Sequence, residues 1–531
     1  LLNIFNFRNY FLIVYISMIG VAHATEAPDF SGQAYDQHVE LFWAEKSDPQ
    51  ASYVIKVSVN EGDWVTRCRT NKTGLLDFVG EFGNDLKLSY RLYSQTKSQE
   101  NLLGEVSLKT RTFTDDELVE MVQKYTFRYF WQGADEKSGW AFERQPNTGE
   151  AVITTGGTGF AILSIITAAE RGWISREAAV MRLLKITTSL KRLETFHGMW
   201  AHWYRAGTEE VFHFSKYDNG GDIVESAFMA QGLLAARQYF NQSSTDETRL
   251  RTDITGLWEK MDWQWYTQGQ DILYWHWSKT HGWKMNHKIT GYNEALIAYV
   301  LAASSPTHAI SKAAYHKGWA GQNNGYFKNG KTFYGLKLPL GNQQEMGGPL
   351  FFAHYSFLGL DPRGLSDRYA NYWTQNQHQT LISHAYSMDN PKNWKGYGPD
   401  FWGLTAGDMV PDGYTAHAPG ERDFGTINPT GALSSMPYAP TQSLALLKNL
   451  YYRHGKELFG PMGFYDAINL SVSDDPRKQV KKTYLAIDQG PIIIMLENYR
   501  SGLLWDSFMK DPDVRKGLDK LGFTINNQKN Q

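Results

Sequence analysis

The sequence holds a single cysteine, Cys68, in 531 residues. A lone thiol closes no intramolecular disulfide and supports no cysteine-based metal motif. Neither sign of charge is in excess: 53 Lys+Arg stand against 55 Asp+Glu, a net charge of −2. That balance gives no general attraction to phosphate backbones or anionic lipid, so no nucleic-acid partner is expected. Beyond the first two dozen residues no uninterrupted apolar run is long enough to span a bilayer. Disorder is excluded as well, because 42% of residues are hydrophobic and only 20% charged.

The N-terminus reads as an address. Arg8 precedes an apolar run from Tyr10 to Ala22, which closes on Ala22-His23-Ala24. This is the pattern of a cleavable export signal over residues 1–24, with cleavage before Thr25. It predicts a periplasmic or secreted protein without a membrane anchor, and a disulfide-free exported chain suits a bacterial periplasm or exterior. What the sequence has in quantity is aromatic rings: 14% of residues, with 18 Trp and 30 Tyr. Such rings build a large core, or stack on the apolar faces of sugars; composition leaves both readings open.

Residues 26–112 read as strands. Val39, Leu41 and Trp43 alternate with His38, Glu40 and Phe42; Tyr53, Ile55, Val57 and Val59 with Lys56, Ser58 and Asn60; and Leu86, Leu88, Tyr90 and Leu92 fall at period two. A small β-sandwich is predicted. The placing of Trp43, Tyr53 and Tyr90 resembles a fibronectin type III-like module.

From Thr114, with its capping-box partner Glu117, the chain reads as helical over 115–523, leaving a short tail at 524–531. Six times a Gly- or Pro-bearing loop opens into an apolar helix: at Gly156-Gly157, Gly220-Gly221, Gly291, Gly347-Gly348-Pro349, Asn428-Pro429 and Gly490-Pro491. The run after Gly157 is apolar nearly all round, as in a helix buried on every side. The segment Ser175 to Leu193 is amphipathic, with Ser175 as its N-cap. Buried helix followed by amphipathic helix, six times, describes an (α/α)6 toroid of six inner and six outer helices. An open helical array is the alternative, against which stand long connecting loops rich in Trp, Tyr and Gly.

In such a ring the N-termini of the inner helices gather on one face, and polar residues there converge. Asp218, Asp222 and Glu225 lie at the second opening, Glu294 at the third and Glu345 at the fourth. Asp408, Asp412, Glu421 and Asp423 precede the fifth, and Asp488 lies at the sixth. Asp222 and Glu225, three apart, share a helix face. Capping explains Asp222 well; Glu225, on a helix continued by Phe228, Met229 and Leu233, needs a partner or a cavity. Glu294 is expected in the first turn of its helix. Two carboxyl groups on neighbouring inner helices, one protonated and one ionised, are what glycoside hydrolysis requires. His197, His202 and His213 show no metal spacing and read as polar or stacking histidines. Thr154-Thr155-Gly156-Gly157-Thr158-Gly159 lacks the ending of a phosphate-cradling loop. No cofactor and no metal are expected.

Seven segments then add up. Ser138 to Arg144, Thr154 to Phe160, Gly220 to Ser226, Tyr274 to Ser278, Gly291 to Glu294, Tyr355 to Arg363 and Ala486 to Pro491, in that order, resemble the bacterial glucoamylase-like domain, glycoside hydrolase family 144. Asn219 departs from that pattern, standing where many relatives carry a second acid. The resemblance implies an (α/α)6 barrel that hydrolyses β-1,2-glucan with inversion, either endo-acting or releasing sophorose from non-reducing ends. It implies that Asp222, Glu225 and Glu294 matter for activity, with Asp218 beside them. It adds Glu143, Arg144, Trp275, His276, Trp277, Tyr292 and Asp488 as substrate-binding candidates. An N-terminal β-module, which the exo type also carries, favours exo action by a monomer; a non-catalytic glucan-binding protein is the rival of another class.

Overall fold

The computed structural model describes residues 30–44, 52–96, 99–147, 149–321, 327–344 and 346–526. The expected export signal, most of the tail and Glu345 lie outside them. The chain divides into two compact units, up to Leu118 and from Val119 onward.

Among the described residues the first unit holds seven strands: β1 (Ser31–Ala34), β2 (His38–Phe42), β3 (Ser52–Val59), β4 (Val65–Thr70), β5 (Gly74–Phe78), β6 (Lys87–Gln95) and β7 (Glu100–Lys109). They form two antiparallel sheets, β1-β2-β5 and β4-β3-β6-β7. Side chains of period two from both sheets meet in one core: Val39, Leu41 and Trp43 with Ile55, Val57, Leu88, Tyr90 and Leu92. The alternation is clean on β6 and fails on β2. His38 and Glu40, expected on the outer face, are buried, His38 because its ring stacks on Tyr35 and Phe78, with centroids 4.4 and 5.2 Å away.

The second unit is mostly helical. Its helices are α1 (Asp115–Trp131, which begins just before the boundary), α2 (Thr155–Glu170), α3 (Arg176–Leu190), α4 (Ile223–Tyr239), α5 (Thr245–Trp258), α6 (Leu296–Ser304), α7 (Tyr372–Asp389), α8 (Pro429–Leu433), α9 (Pro440–Leu458), α10 (Ala486–Arg500), α11 (Leu503–Met509) and α12 (Pro512–Leu521). The capping box forms: the Thr114 and Glu117 amides each donate to the other's side chain, at 2.9 and 3.3 Å. Ser175 caps α3 by accepting from the Ala178 amide. The buried elements pack in a closed series. α2 meets α4, α4 meets α6, α6 meets a turn at Tyr355–Phe357, the adjoining turn at Leu350–Ala353 meets α8, α8 meets α10, and α10 returns to α2. Outside them, α3 and α5 lie on α2 and α4, α7 on the Leu350 turn and α9 on α8, an arrangement consistent with an (α/α)6 toroid. Among the described residues no helix is long and apolar enough to cross a membrane.

Two inner members depart from the expected buried helix. After Gly347-Gly348-Pro349 the chain makes two 3₁₀ turns broken at His354, whose ring pairs with Ser435 Oγ at 2.9 Å. After Asn428-Pro429 only five residues are helical. Elsewhere the inner helices approach closely. A Cβ on Gly159 of α2 would collide with the Phe228 carbonyl of α4, and one on Gly232 with the Gly159 carbonyl. Gly159→Ala therefore opposes a backbone, which cannot swing aside like a side chain. Overpacking of this kind costs about 1–3 kcal/mol, above the ~1 kcal/mol that alanine gains in helix propensity. Thermal melts of Gly159→Ala should show a melting temperature lowered by a few degrees.

Candidate active site

The second opening supplies the densest cluster. Strand pairing of Gly221–Asp222 with His276–Trp277 fixes the chain as it enters α4. Asp222, fully buried, is the N-cap: its Oδ1 accepts from the amides of Val224 and Glu225 at 2.9 and 3.0 Å. Its Oδ2 accepts from the Trp275 indole at 2.9 Å. Glu225, one turn on, accepts the Gly156 amide at 2.7 Å, and a Cβ at Gly156 would strike that carboxylate. The first turn of α2, at Gly156, is thus a seat for Glu225. His202 sits amid these acids, Nδ1 3.3 Å from both Asp218 and Asp222 and Nε2 3.8 Å from Glu225.

The charges sort as this geometry requires. Burial pushes the Asp222 carboxyl up, but hydrogen bonds and charge from His202, with the amide and indole donors, outweigh it and hold Asp222 below the usual range. Burial raises Glu225, His202 opposes, and Asp222 adds to the rise, so Glu225 ends above its ordinary value. Glu294 lies in the turn before α6, two residues ahead of the helix rather than in its first turn. Its backbone carbonyl accepts from Ser356 Oγ, while its Oε2 is buried without a partner. Burial, reinforced by the charges of Asp222 and Glu225, pushes Glu294 up to about 7.

A second cluster forms between the long loop and α10. Arg144, on a two-residue strand paired with Tyr484–Leu485, donates to Asp408 Oδ2 at 2.6 Å and lies 3.6 Å from Glu143. The Asp408 amide donates to Asp466 Oδ2 at 2.6 Å, and Asn428 Nδ2 reaches the same carboxylate. Both oxygens of Asp488 and Oδ1 of Asp466 are buried without a donor. Burial and the neighbouring acid raise both carboxyls, Asp488 well above its usual value. The two clusters are electrostatic neighbours: Glu143 feels both His202 and Asp408, and Tyr355 feels both Asp488 and Glu294.

The structure thus gathers Asp218, Asp222, Glu225, Glu294, Glu143, Arg144, Asp488 and Trp275. It sets three other candidates back. His276 is 2% exposed, and its Nε2 accepts the amides of Asn219 and Gly220 at 3.2 and 2.8 Å; a ring so used shapes the loop rather than meeting a ligand. Tyr292 is buried, its hydroxyl bonded to Asn376. Trp277 packs among rings, edge-on to His197 and Trp265. Of the other rim acids, Asp423 is consumed by Tyr386, Tyr397 and Trp394, and Asp412 pairs with Lys481 on the surface. Sequence reasoning missed Asp466, for which no local pattern exists, and gave His202 no part in the acid cluster.

Donor atoms of His202, Asp218 and Asp222 lie within 4.8 Å of one another, close enough to grip a cation. Each already has an internal role: Asp222 Oδ2 takes the Trp275 indole, and the ring nitrogen faces both carboxylates as a donor. We read the group as an ion-paired histidine, not a cation site.

Comparisons with known proteins give the chain's relatives. The glycoamylase family model matches residues 286–512. An exo β-1,2-glucooligosaccharide sophorohydrolase (non-reducing end) of Parabacteroides distasonis is 40% identical over 511 residues, covering 92% of this chain and 70% of the relative. The crystal structure of a β-1,2-glucanase from Parabacteroides distasonis superposes with a TM-score of 0.85 at 40% identity, over 93% of this chain and 73% of that one. An endo-β-1,2-glucanase from Chitinophaga pinensis, solved with sophorotriose and glucose, has a TM-score of 0.74 at 47% identity, over 78% of this chain and 99% of that one.

The internal satisfaction of the His202 group makes a checkable statement. Dialysis against EDTA should leave both turnover and melting temperature unchanged. A loss restored by a divalent ion would contradict it.

Proposed function

The chain belongs to the glucoamylase-like family, glycoside hydrolase family 144, and from that premise we propose that it hydrolyses β-1,2-glucosidic bonds with inversion, releasing sophorose from the non-reducing ends of β-1,2-glucan or its oligosaccharides. One observation carries the proposal: the buried, unpartnered Oε2 of Glu294, whose carboxyl is pushed up to about 7 by burial and partly by the charge of Asp222, while Asp222 itself is held below the usual carboxylate range. Environments that push two carboxyl groups apart in this way divide the roles of acid and base. Glu294 protonates the leaving oxygen. Asp222 and Glu225, on the opposing side, bind sugar hydroxyls or relay a proton through water. Inversion needs room for a water, with about 6.5–9.5 Å between acid and base against roughly 5–5.5 Å for retention.

Exo action draws support from the sophorohydrolase, which matches 92% of the chain; the endo-acting relative matches 78%, a share the helical unit alone would fill. The higher identity of that endo relative, 47%, favours the second reading, endo-hydrolysis of the same linkage. A product profile over time separates them: sophorose from the first minutes for exo action, a ladder of longer products for endo. We further propose that the protein is exported, supported by the apolar run Tyr10 to Ala22 and its Ala22-His23-Ala24 ending, and that it acts as a monomer. The reading of the N-terminal unit as fibronectin type III-like is supported by its three strands packed against four.

Glu294→Gln keeps the shape of the side chain and removes its titrating proton. Activity on β-1,2-glucan should fall roughly 10²-fold or more with little change in melting temperature. Because the acid must be protonated, wild-type activity should decline as pH rises through about 7, and that limb should vanish from the residual activity of the variant. Optical rotation followed during hydrolysis, with ammonia added to speed mutarotation, should show an α-configured first product. A β-configured one would mean retention and a different division of roles.

A further inference from the structure

One side chain in the cavity is not yet accounted for by that chemistry. The His202 ring faces Asp218 and Asp222 with Nδ1, each at 3.3 Å, and Glu225 with Nε2 at 3.8 Å. Its backbone carbonyl is held by the Thr155 amide, at 3.1 Å, and its ring lies flat on Phe214, with centroids 4.2 Å apart and planes 9° apart. A neutral imidazole carries one donor and one acceptor nitrogen. In either tautomer, one lone pair would point at a carboxylate. Only the imidazolium presents N–H groups to both sides.

We propose that His202 is a positioning residue that stays doubly protonated at neutral pH, clamps Asp218, Asp222 and Glu225 in one arrangement, and keeps Asp222 ionised for the water-side half of the reaction. The proposal rests on the functional reading above. The charged and titratable groups around the ring come from several elements. Asp218, Asp222 and Glu225 stand at the opening of α4. Glu143 approaches from the loop before Arg144, and His276 from the strand beside Asp222. The acids outnumber the bases, so the surroundings favour the charged ring. Burial alone would push its pKa down, but Glu225, Asp218 and Asp222 outweigh burial and raise it well above the ordinary histidine value. Phe214, half-exposed, covers one face of the ring and contributes a cation–π contact.

Two measurements test it. Nitrogen-15 NMR of the resting protein, pH 5 to 8, should show one histidine with both ring nitrogens protonated at pH 7. Phe214→Leu assigns that signal by shifting it. A neutral His202 ring at pH 7 overturns the proposal, and this outcome needs no substrate. The second is the pH profile of His202→Gln on β-1,2-glucan. Without the positive charge Asp222 holds its proton to higher pH, so the acidic limb should move up by about one unit or more. Well below the displaced pKa, kcat should be about tenfold under that of wild type at the same pH, KM should change much less, and His202→Lys should recover part of the limb. A folded His202→Gln whose acidic limb is unmoved overturns the proposal. If wild type shows no turnover of β-1,2-glucan, the substrate reading falls, while the NMR result still decides the state of His202.

Discussion

Carboxylates buried beside one another repel, and in a space from which water is largely withdrawn that repulsion is strong. The cavity of this protein gathers Asp218, Asp222, Glu225 and Glu294 on one side and Asp408, Asp466 and Asp488 on the other. Two cations make the arrangement tenable, His202 in the first group and Arg144 in the second. What they leave uncompensated is informative. Glu294 and Asp488 receive no cation of their own, and Glu294 Oε2 and both carboxyl oxygens of Asp488 are without donors among the described residues. Both are driven toward the protonated form. Glu225 and Asp466 rise too, so it is Asp222, held below the usual range by His202 and by its amide and indole donors, that the balance sets apart.

The fold serves that balance through backbone contacts rather than through side-chain bulk. The Gly156 amide binds Glu225 because no Cβ stands in the way, and the bare Gly159 and Gly232 let α2 and α4 touch backbone to backbone. These contacts bring the start of α2 to within hydrogen-bonding reach of the third residue of α4. Amides at the start of α4 bind Asp222, where helix N-termini favour negative charge. Glycine at the openings is thus an electrostatic device as much as a turn residue.

Much of this was readable in the sequence, and the limits of the reading have physical causes. The repeated Gly- or Pro-bearing motif marked every inner element but not always its start: Gly156-Gly157 lies in the first turn of α2, and Gly490-Pro491, read as an opening, lies within α10 at its fifth and sixth residues. It did not give their lengths: a 3₁₀ pair at Leu350–Phe357 and a five-residue α8 look like helices to a pattern built on apolar periodicity. Asp222 and Glu225 were visible because their spacing is local. Asp466 and Asp408, 58 residues apart, meet only through a loop whose path no local pattern records. His276 and Tyr292 stood in the right segments yet turn inward, since proximity in a motif does not fix which way a side chain points. His202 was legible as a stacking histidine, and it does stack on Phe214; what the sequence hid was that the other sides of its ring meet three acids.

The order of these dependencies bears on how such a site tolerates change. An acid raised chiefly by burial, as Glu294 is, depends on how closely its surroundings exclude water, with the charges of Asp222 and Glu225 adding to the effect. An acid held ionised by hydrogen bonds, as Asp222 is, depends on named donors: two amides, an indole and an imidazole. The amides cannot be removed by substitution, because they belong to the helix itself. Trp275 and His202 can. Variation in those two side chains would tune the water side of the reaction while leaving the leaving-group side intact. Variation in the rings that wall the cavity would act on Glu294 instead. The two halves of an acid–base mechanism, adjacent in space, thus rest on different parts of the sequence.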